Sequence, residues 1–331
     1  GTFNPGVVEM PNGEIWMLVR VAETVKETRK GYTASPSVII NKKGKLKYKI
    51  DWFKQDSRNK DNRVVWFKDN TARITYVDHL RLVKLKPDGK TVIDIDDKPT
   101  IYAKEEYEEY GIEDSRITKI GSTYYITYAC YAFKTNGATG LISTKDFKKF
   151  IRHGLIFPAD NKDVVIFPEK INGKYYCIHR PTASLKCSPG ASMMLATSYN
   201  LTHWGENQFL MSADKNTWDF GKVGAGAPPI KTKYGWLEIY HGVFHKGNSE
   251  YYGAGAVLFD LKNPAKIIKR AKKPVLLPEK DYEIKGFTPN LHVVFPEGAI
   301  IRGNELLVYF GAGDLAVKMV KLSIDEIFNL F

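Results

Sequence analysis

The chain has 331 residues, with 49 Lys and Arg against 37 Asp and Glu, so its net charge is +12. That length suffices for one large domain or two ordinary ones. The basic residues form no arm or tail, so the charge favours anionic ligands without favouring nucleic acid, and no apolar run approaches the roughly 18 to 20 residues of a membrane span.

One hairpin pattern recurs five times along the chain: an apolar strand, a turn with Gly or Asn, and a second strand rich in aromatic residues. The copies span residues 4–20, 114–128, 167–180, 228–241 and 295–309. A third apolar strand follows each copy, beginning near residues 80, 140, 194, 256 and 317. The first copy is stretched by a polar, charged insertion at about residues 42–75.

The spacing of this repeat predicts the fold class. Copies about 50 to 70 residues apart, with about four short strands each, are typical of a β-propeller. We therefore predict an all-β fold, in which residues 1–331 form a single five-bladed β-propeller domain. A large β-sandwich is the alternative, but it gives no reason for Phe-Pro-Glu to recur at 167–169 and 295–297. Ser323 is placed to cap one short C-terminal helix.

A propeller would bring distant residues to one mouth of its central channel. The first strand of each blade lines the channel and the second runs antiparallel to it, so the start of the first lies beside the end of the second. Strand starts then contribute Asn4, Asp114, Lys162, Asp163, Lys222 and Glu297. Second-strand ends and the loop after the last one contribute Arg20, Arg180, Tyr240, His241 and Asp314.

Carboxylates that face several cations have a chemical use. Cleavage of a glycosidic bond needs an acid for the leaving oxygen, and an inverting reaction needs a nucleophile on the opposite sugar face. A second carboxylate would activate water, whereas a set of Arg, Lys and His favours an oxyanion such as phosphate. Aromatic residues near strand ends, Tyr131, Trp218, Tyr240 and Phe244, are candidates for stacking on sugar rings.

Each of these residues also has a structural interpretation. Arg20 and Arg180 could be ion-paired side chains that fill the channel. Lys162 and Lys222 could be solvated lysines of loops. His241 could donate a hydrogen bond to a backbone group. The cysteines Cys130, Cys177 and Cys187 and the other histidines show no metal-ligand spacing, so we expect no metal. Three cysteines in no regular array suit a reducing compartment, and nothing resembles a signal peptide, which predicts a cytoplasmic protein.

Several motifs lie in order over nearly the whole chain. They are Phe3-Asn-Pro-Gly, Gly111-Ile-Glu-Asp-Ser-Arg-Ile, Phe167-Pro-Glu-Lys-Ile-Asn-Gly-Lys-Tyr with His179-Arg-Pro, Lys222-Val-Gly-Ala-Gly-Ala-Pro-Pro-Ile, Gly235-Trp-Leu-Glu-Ile-Tyr-His-Gly-Val, and Val293-Val-Phe-Pro with Gly311-Ala-Gly-Asp. Together they resemble glycoside hydrolase family 130. Members of that family are five-bladed propellers, mostly inverting phosphorylases of β-mannosides, with some β-1,2-mannosidases.

The resemblance implies roles for individual residues. Asp114 would be the catalytic acid, acting through the 3-hydroxyl of the mannosyl unit. The phosphate-binding set would be Arg180, Lys222, His241 and Lys162. The contacts to the mannosyl unit would be Asn4, Arg20 and Asp314. Ser115 departs from the family, which typically has Pro there, and the 42–75 insertion has no counterpart.

These observations together predict an inverting phosphorylase that cleaves a β-mannoside, such as β-1,2-mannobiose or a short β-1,2-oligomannan, with phosphate. Phosphate is then a co-substrate, no cofactor is implied, and a homo-oligomer is compatible with the sequence. One alternative is an inverting β-1,2-mannosidase of the same fold, with Asp163 or Glu297 as the base. The other is a sugar-binding propeller without catalysis.

Overall fold

The computed structural model describes residues 1–40, 45–55, 61–182 and 191–331, so parts of the predicted insertion and Cys187 lie outside the described residues. The first twelve strands are β1 Thr2–Glu9, β2 Ile15–Thr24, β3 Tyr32–Ile40, β4 Leu46–Lys54, β5 Val64–Trp66, β6 Ala72–Ile74, β7 Tyr76–Leu85, β8 Val92–Ile95, β9 Ile112–Ile120, β10 Thr123–Ala132, β11 Asn136–Thr144 and β12 Phe150–Phe157. The others are β13 Asn161–Ile166, β14 Tyr175–Pro181, β15 Met193–Ser198, β16 Gly205–Met211, β17 Lys222–Gly224, β18 Ile230–Thr232, β19 Gly235–Lys246, β20 Ser249–Phe259, β21 Ile267–Arg270, β22 Leu291–Arg302, β23 Glu305–Ala312 and β24 Ala316–Ser323. The all-β prediction is confirmed.

Helix is scarce in the described part of the chain. The predicted C-terminal helix is α2, Ile324–Phe328, and the Ser323 hydroxyl accepts a hydrogen bond from the backbone N–H of Asp325. This cap satisfies one of the free N–H groups of the first turn. The sequence did not predict α1, Asp281–Ile284, or the single 3-10 turn Glu106–Glu108. No helix in the described ranges is long and apolar enough to cross a membrane.

The strands form antiparallel meanders that follow the predicted repeats. Three sheets have four strands each, in the orders β1-β2-β7-β8, β12-β11-β10-β9 and β13-β14-β15-β16. The largest sheet has eight strands along the path β17-β19-β20-β22-β23-β24, with β18 beside β19 and β21 beside β20, and only its β20–β22 contact is parallel. The first strands of different meanders contact one another: β1 packs beside β9 and β22, and β9 packs beside β13. The strand starts are therefore gathered in the middle of the molecule.

Two details differ from the predicted repeat. The Phe-Pro-Glu at 167–169 follows the end of β13, whereas the one at 295–297 lies inside β22, so the two do not occupy equivalent places. In the fourth meander, the first strand is divided into β17 and β18. Pro228 and Pro229 lie between them, and proline has no N–H to donate to β19.

The segment between β2 and β7 is longer than the predicted insertion. These two strands pair along their whole length, so residues 25–75 lie outside their sheet, and the segment begins before residue 42. It contains two separate hairpins, β3–β4 and β5–β6. The second hairpin is held near the last meander, where Asn62 Nδ2 lies 3.4 Å from the backbone oxygen of Phe287. This segment therefore reaches the region where the strand starts meet.

Candidate active site

The residues at the strand starts share an unusual backbone conformation. Asn4, Asp114 and Asp163 have φ angles of +49°, +50° and +55°. Each lies at an irregularity in the pairing of its strand, β1, β9 or β13. A residue with a left-handed backbone conformation in a β-bulge directs its side chain away from the regular alternation of the strand. Asn and Asp tolerate that conformation better than most residues. The recurrence explains why short carboxyl and amide side chains from separate meanders converge.

Arg20, at the end of the pairing between β1 and β2, is surrounded by carboxyl groups. Its Nε and Nη2 each lie 3.0 Å from Asp78, its Nη2 lies 2.6 Å from Glu113, and its Nη1 donates to Asp114 Oδ1 at 2.8 Å. Asn4 Nδ2 donates to the same Oδ1 at 2.8 Å. All five side chains are buried, so the guanidinium fixes the three carboxyls against one another.

A glycine lets this cluster form. Gly111 has φ of +94° and lies against the backbone of Asp78, with which it forms a parallel bridge. A Cβ atom on Gly111 would lie 2.0 Å from the Asp78 carbonyl oxygen, so a larger residue would push the start of β9 away from β7. The motif Gly111-Ile-Glu-Asp therefore places Glu113 and Asp114 beside Arg20.

The three carboxyls around Arg20 differ in pKa. Burial, followed by the charges of neighbouring carboxylates, raises the pKa of Asp78 and Glu113 even though Arg20 opposes the shift. Burial would also raise the pKa of Asp114, but Arg20, Arg116 and Lys162 together hold it below its ordinary value. Of the three carboxyls, Asp114 is therefore the one that ionises most readily.

Asp114 faces a cavity of about 330 Å³. Asn4, Arg20, Lys162 and Asp314 also line it, so four further predicted site residues meet there. The remaining described residues in its wall include Phe3, Tyr76, Glu113, Tyr131, Tyr252 and Phe295, and from the 25–75 segment Asp61, Arg63, Val64, Trp66 and Ile74. This volume suits a small polar ligand, and aromatic rings beside polar groups suit a sugar.

The other three predicted phosphate ligands lie immediately behind the aromatic wall. Lys222 Nζ is 2.6 Å from the hydroxyl of Tyr252, and the ring of His241 is 6.1 Å from the ring of Tyr252. Arg180 and His241 converge on Asp163, whose Oδ2 accepts from Arg180 Nε at 2.7 Å and lies 3.7 Å from His241 Nε2. These basic side chains are thus assembled next to the cavity, and of the four predicted phosphate ligands Lys162 alone is in its described wall.

Gly224 makes room for two of these side chains, Arg180 and His241. A Cβ atom at this position would lie 2.7 Å from His241 Nε2 and 2.8 Å from Arg180 Nε, closer than side chains approach one another. The small residues of the Gly224-Ala-Gly-Ala stretch therefore leave space for the side chains of Arg180 and His241. The stretch does not itself form a phosphate loop.

Two of the basic groups have strongly lowered pKa values. Burial, and then the charge of Arg180, lowers the pKa of Lys222 to about 7. Burial lowers the pKa of His241 to about 3 despite the nearby Asp163. His241 is therefore neutral at pH 7, and its Nδ1, 3.1 Å from the carbonyl of Ala225, must carry the proton because a carbonyl only accepts. Lys222 is poised to gain a proton when an anion binds.

Besides Arg180, Lys222 and His241, three predicted residues are absent from the described lining of the cavity. Tyr240 is fully buried and its hydroxyl donates to Asp219 Oδ2 at 2.7 Å, which corrects the predicted substrate contact. The reason is that successive strand residues face opposite sides, and its neighbour His241 occupies the channel side. Asp163 and Glu297 are also absent from the described lining of the cavity. Among the other stacking candidates, Tyr131 lines the cavity, whereas Trp218 packs on Tyr240.

Sequence reasoning missed several residues of the site. Tyr76 and Asp78 lie on β7 and Tyr252 lies on β20, the third strands of their meanders, for which the repeat predicted no site residue. Arg63 lines the cavity from the 25–75 segment, is ion-paired to Asp61 at 2.8 Å and lies 3.9 Å from Asp314. No spacing rule links these residues to the repeat. Within the described residues, no group of three or more His, Cys, Asp or Glu side chains is placed to hold a metal ion.

Comparisons with known proteins find related sequences and a related structure. Residues 76–331 match the family model Glyco_hydro_130, described as beta-1,4-mannooligosaccharide phosphorylase. The chain is 38% identical to the beta-1,2-mannobiose phosphorylase of Listeria innocua over 99% of this chain and 90% of that protein. It is 36% identical to the 1,2-beta-oligomannan phosphorylase of Thermoanaerobacter sp. over 70% of this chain and 74% of that protein. The solved structure of the Listeria innocua enzyme with beta-1,2-mannobiose superposes with a TM-score of 0.90 at 37% identity, covering 100% of this chain and 91% of that one.

Proposed function

The chain belongs to glycoside hydrolase family 130, and on that premise we propose that it is an inverting phosphorylase that transfers the mannosyl unit of a β-mannoside to inorganic phosphate. The observation that carries the proposal is the position of Asp114 in the wall of a sugar-sized cavity, with Lys162 in the same wall and Lys222 directly behind Tyr252. An acid and an anion site are thus adjacent, as a phosphorolytic cleavage requires.

The proposed reaction breaks one bond and forms one. An oxygen of phosphate attacks C1 of the mannosyl unit from the face opposite the leaving group, and the glycosidic C1–O bond breaks. The leaving oxygen takes the proton that Asp114 supplies, relayed through the mannosyl 3-hydroxyl as the family resemblance implies. The products are α-mannose 1-phosphate and the shortened sugar, because the attack inverts the configuration.

Substrate binding would favour the acid form of Asp114. The charges of Arg20, Arg116 and Lys162 hold the pKa of Asp114 low. A phosphate anion beside Lys162 offsets that positive charge and repels the carboxylate, and a bound sugar excludes water from it. Both effects raise the pKa of Asp114 and so favour the protonated carboxyl that the reaction needs.

The residues that hold the mannosyl unit in this proposal are Asn4, Arg20 and Asp314, all of which line the cavity. The phosphate ligands are Lys162, Lys222, Arg180 and His241. We propose β-1,2-mannobiose or a short β-1,2-oligomannan as the substrate, because the names of the two relatives specify these sugars. Phosphate is a co-substrate in this scheme, which requires no cofactor.

The structure weakens the hydrolytic alternative in the form the sequence suggested. A hydrolase would need a second carboxylate across the sugar from Asp114, with room for water. Asp163 is bound by Arg180 and Glu297 is fully buried beside Arg116, and the described wall of the cavity includes neither. Neither carboxylate is placed to activate water in this cavity.

A five-bladed propeller is the architecture that we propose for the four sheets. The large sheet would then supply two blades, divided at the short parallel contact between β20 and β22. The contacts of β1 with both β9 and β22 support this division, because they join the first blade to the second and the last. All five blades would form one domain over residues 1–331.

The test is incubation of the purified protein with β-1,2-mannobiose, with and without phosphate. Mannose 1-phosphate formed only with phosphate is the expected result, and free mannose at the same rate without phosphate would refute phosphorolysis. Replacing Asp114 by Asn should lower kcat by about 10²- to 10⁴-fold, the usual contribution of a general acid. The control is Asp146→Asn, which makes the same change in an exposed turn and should be silent.

A further inference from the structure

Arg116 is a fully buried cation that the proposed mechanism does not use directly. It lies on β9, two residues after Asp114, with 2% of its side chain exposed. Its guanidinium faces four acceptors in three sheets. Its Nη1 donates to the backbone oxygen of Asp114 at 2.6 Å and its Nε to that of Gly226 at 3.2 Å, while its Nη2 lies 3.1 Å from Glu297 and 3.5 Å from Asp163.

Asp163 extends this network to the predicted phosphate ligands. One of its oxygens faces Arg116, and the other, Oδ2, lies 2.7 Å from both Nε and Nη2 of Arg180. The same oxygen is 3.7 Å from His241 Nε2. A carboxylate that holds a guanidinium through two nitrogens restricts both its position and its plane. Asp163 is thus placed to orient the predicted phosphate ligands Arg180 and His241.

The backbone of Asp114 is the other end of the network. Its positive φ places its carbonyl in a bulge, away from the regular pairing of β9 with β10. A buried carbonyl needs a partner, and Arg116 supplies it. Arg116 thus connects the backbone of Asp114 with the carboxylate that holds Arg180.

We propose that Arg116 and Asp163 are a positioning pair that holds the acid Asp114 in register with the phosphate ligands Arg180 and His241. This inference rests on the proposed function. It assigns Asp163 a role other than that of a catalytic base, since the carboxylate acts through the cations it orients and does not touch the substrate.

The experiment compares Asp163→Asn and Arg116→Lys with the wild type. Asp163→Asn keeps the shape and removes the anion that holds Arg180, so the KM for phosphate and the Kd for phosphate measured by calorimetry should rise about tenfold or more. The KM for the mannoside should change much less. Arg116→Lys keeps the charge but loses the planar fork, so it should both raise the KM for phosphate and lower kcat.

The matched control is Glu108→Gln. Glu108 is a fully buried carboxylate that pairs with Arg152 and accepts from Tyr128, and it does not line the cavity. Its replacement should reduce stability without changing either KM. If the two test variants behave in the same way, with fewer active molecules and unchanged constants for phosphate, the pair is purely structural and the proposal is overturned.

Two further outcomes are also decisive. If neither test variant folds while Glu108→Gln does, the pair maintains the fold and the positioning role is refuted. The requirement for phosphate is judged on the wild type alone, so its absence would refute the proposed function. The calorimetric Kd values would still decide whether Arg116 and Asp163 organise an anion site, because they do not depend on turnover.

Discussion

The lowered pKa of Lys222 makes phosphate binding depend on pH in a defined direction. Burial and the charge of Arg180 bring this pKa to about 7, and the opposing attraction of Glu250 does not restore it. A lysine with a pKa of 7 is about half protonated at pH 7 and about one-eleventh protonated at pH 8. Because only the ammonium form attracts phosphate, affinity is fully present below pH 7 and is lost as the pH rises above it.

The expected magnitude follows from that fraction. Above pH 7.5 the KM for phosphate should rise by about tenfold per pH unit, since each unit costs about 1.4 kcal/mol to protonate Lys222. Phosphate itself titrates near this pH, so the wild type alone would mix two effects. Lys222→Arg separates them, because a guanidinium stays charged throughout the range while phosphate titrates equally in both proteins.

The assay is the initial rate of mannose 1-phosphate formation at saturating mannoside, with phosphate varied at several pH values between about 6 and 9. The ratio of the wild-type KM for phosphate to that of Lys222→Arg should be constant up to about pH 7 and then climb about tenfold per unit. A ratio that stays constant across the whole range would refute the reasoning, because Lys222 would then either keep its charge or not contact phosphate.

Three further predictions test the packing around the site. Arg20→Met should cost about 3 to 5 kcal/mol of unfolding free energy at pH 7 because it leaves three buried carboxyls without their cation; urea denaturation should show a loss that shrinks as the pH falls, because carboxyls deprived of Arg20 take up protons more readily, and a loss independent of pH would contradict the ion-pair explanation. Gly224→Ala should raise the KM for phosphate by displacing Arg180 and His241, whereas Gly205→Ala, where a Cβ atom meets nothing within 4 Å, should not. Tyr240→Phe should destabilise the protein by about 1 kcal/mol or more through the lost hydrogen bond to Asp219, with an unchanged KM for the mannoside; a large rise in that KM would restore Tyr240 as a substrate contact.

The carboxyl cluster around Arg20 shows why the surroundings of a residue decide its chemistry. Asp78, Glu113 and Asp114 all contact the same guanidinium, yet only Asp114 has its pKa held low. Lys162 in the cavity wall and Arg116 behind it act on Asp114 more than on Asp78. Asp114 at the cavity thus ionises more readily than its two neighbours, whose pKa values are raised.

The sequence alone determined the strand repeat, because alternating apolar residues and Gly or Asn turns are local signals. It therefore predicted the all-β class, most strand positions and the C-terminal helix capped by Ser323. The repeat also predicted that Asn4, Arg20, Asp114, Lys162 and Asp314 would meet, since each lies at the start or end of a repeated strand, and they do line one cavity.

Tertiary structure alone decided which side of each strand these residues occupy. Asp163 has the same left-handed backbone conformation as Asp114, yet it does not line the described cavity wall and is instead a partner of Arg180. Asp78 and Tyr252 lie at the site although they belong to the third strands of their meanders. Arg63 also lies there, although its segment is outside the repeat. Such contacts depend on how separate sheets pack, and no short stretch of sequence encodes the distance between two sheets.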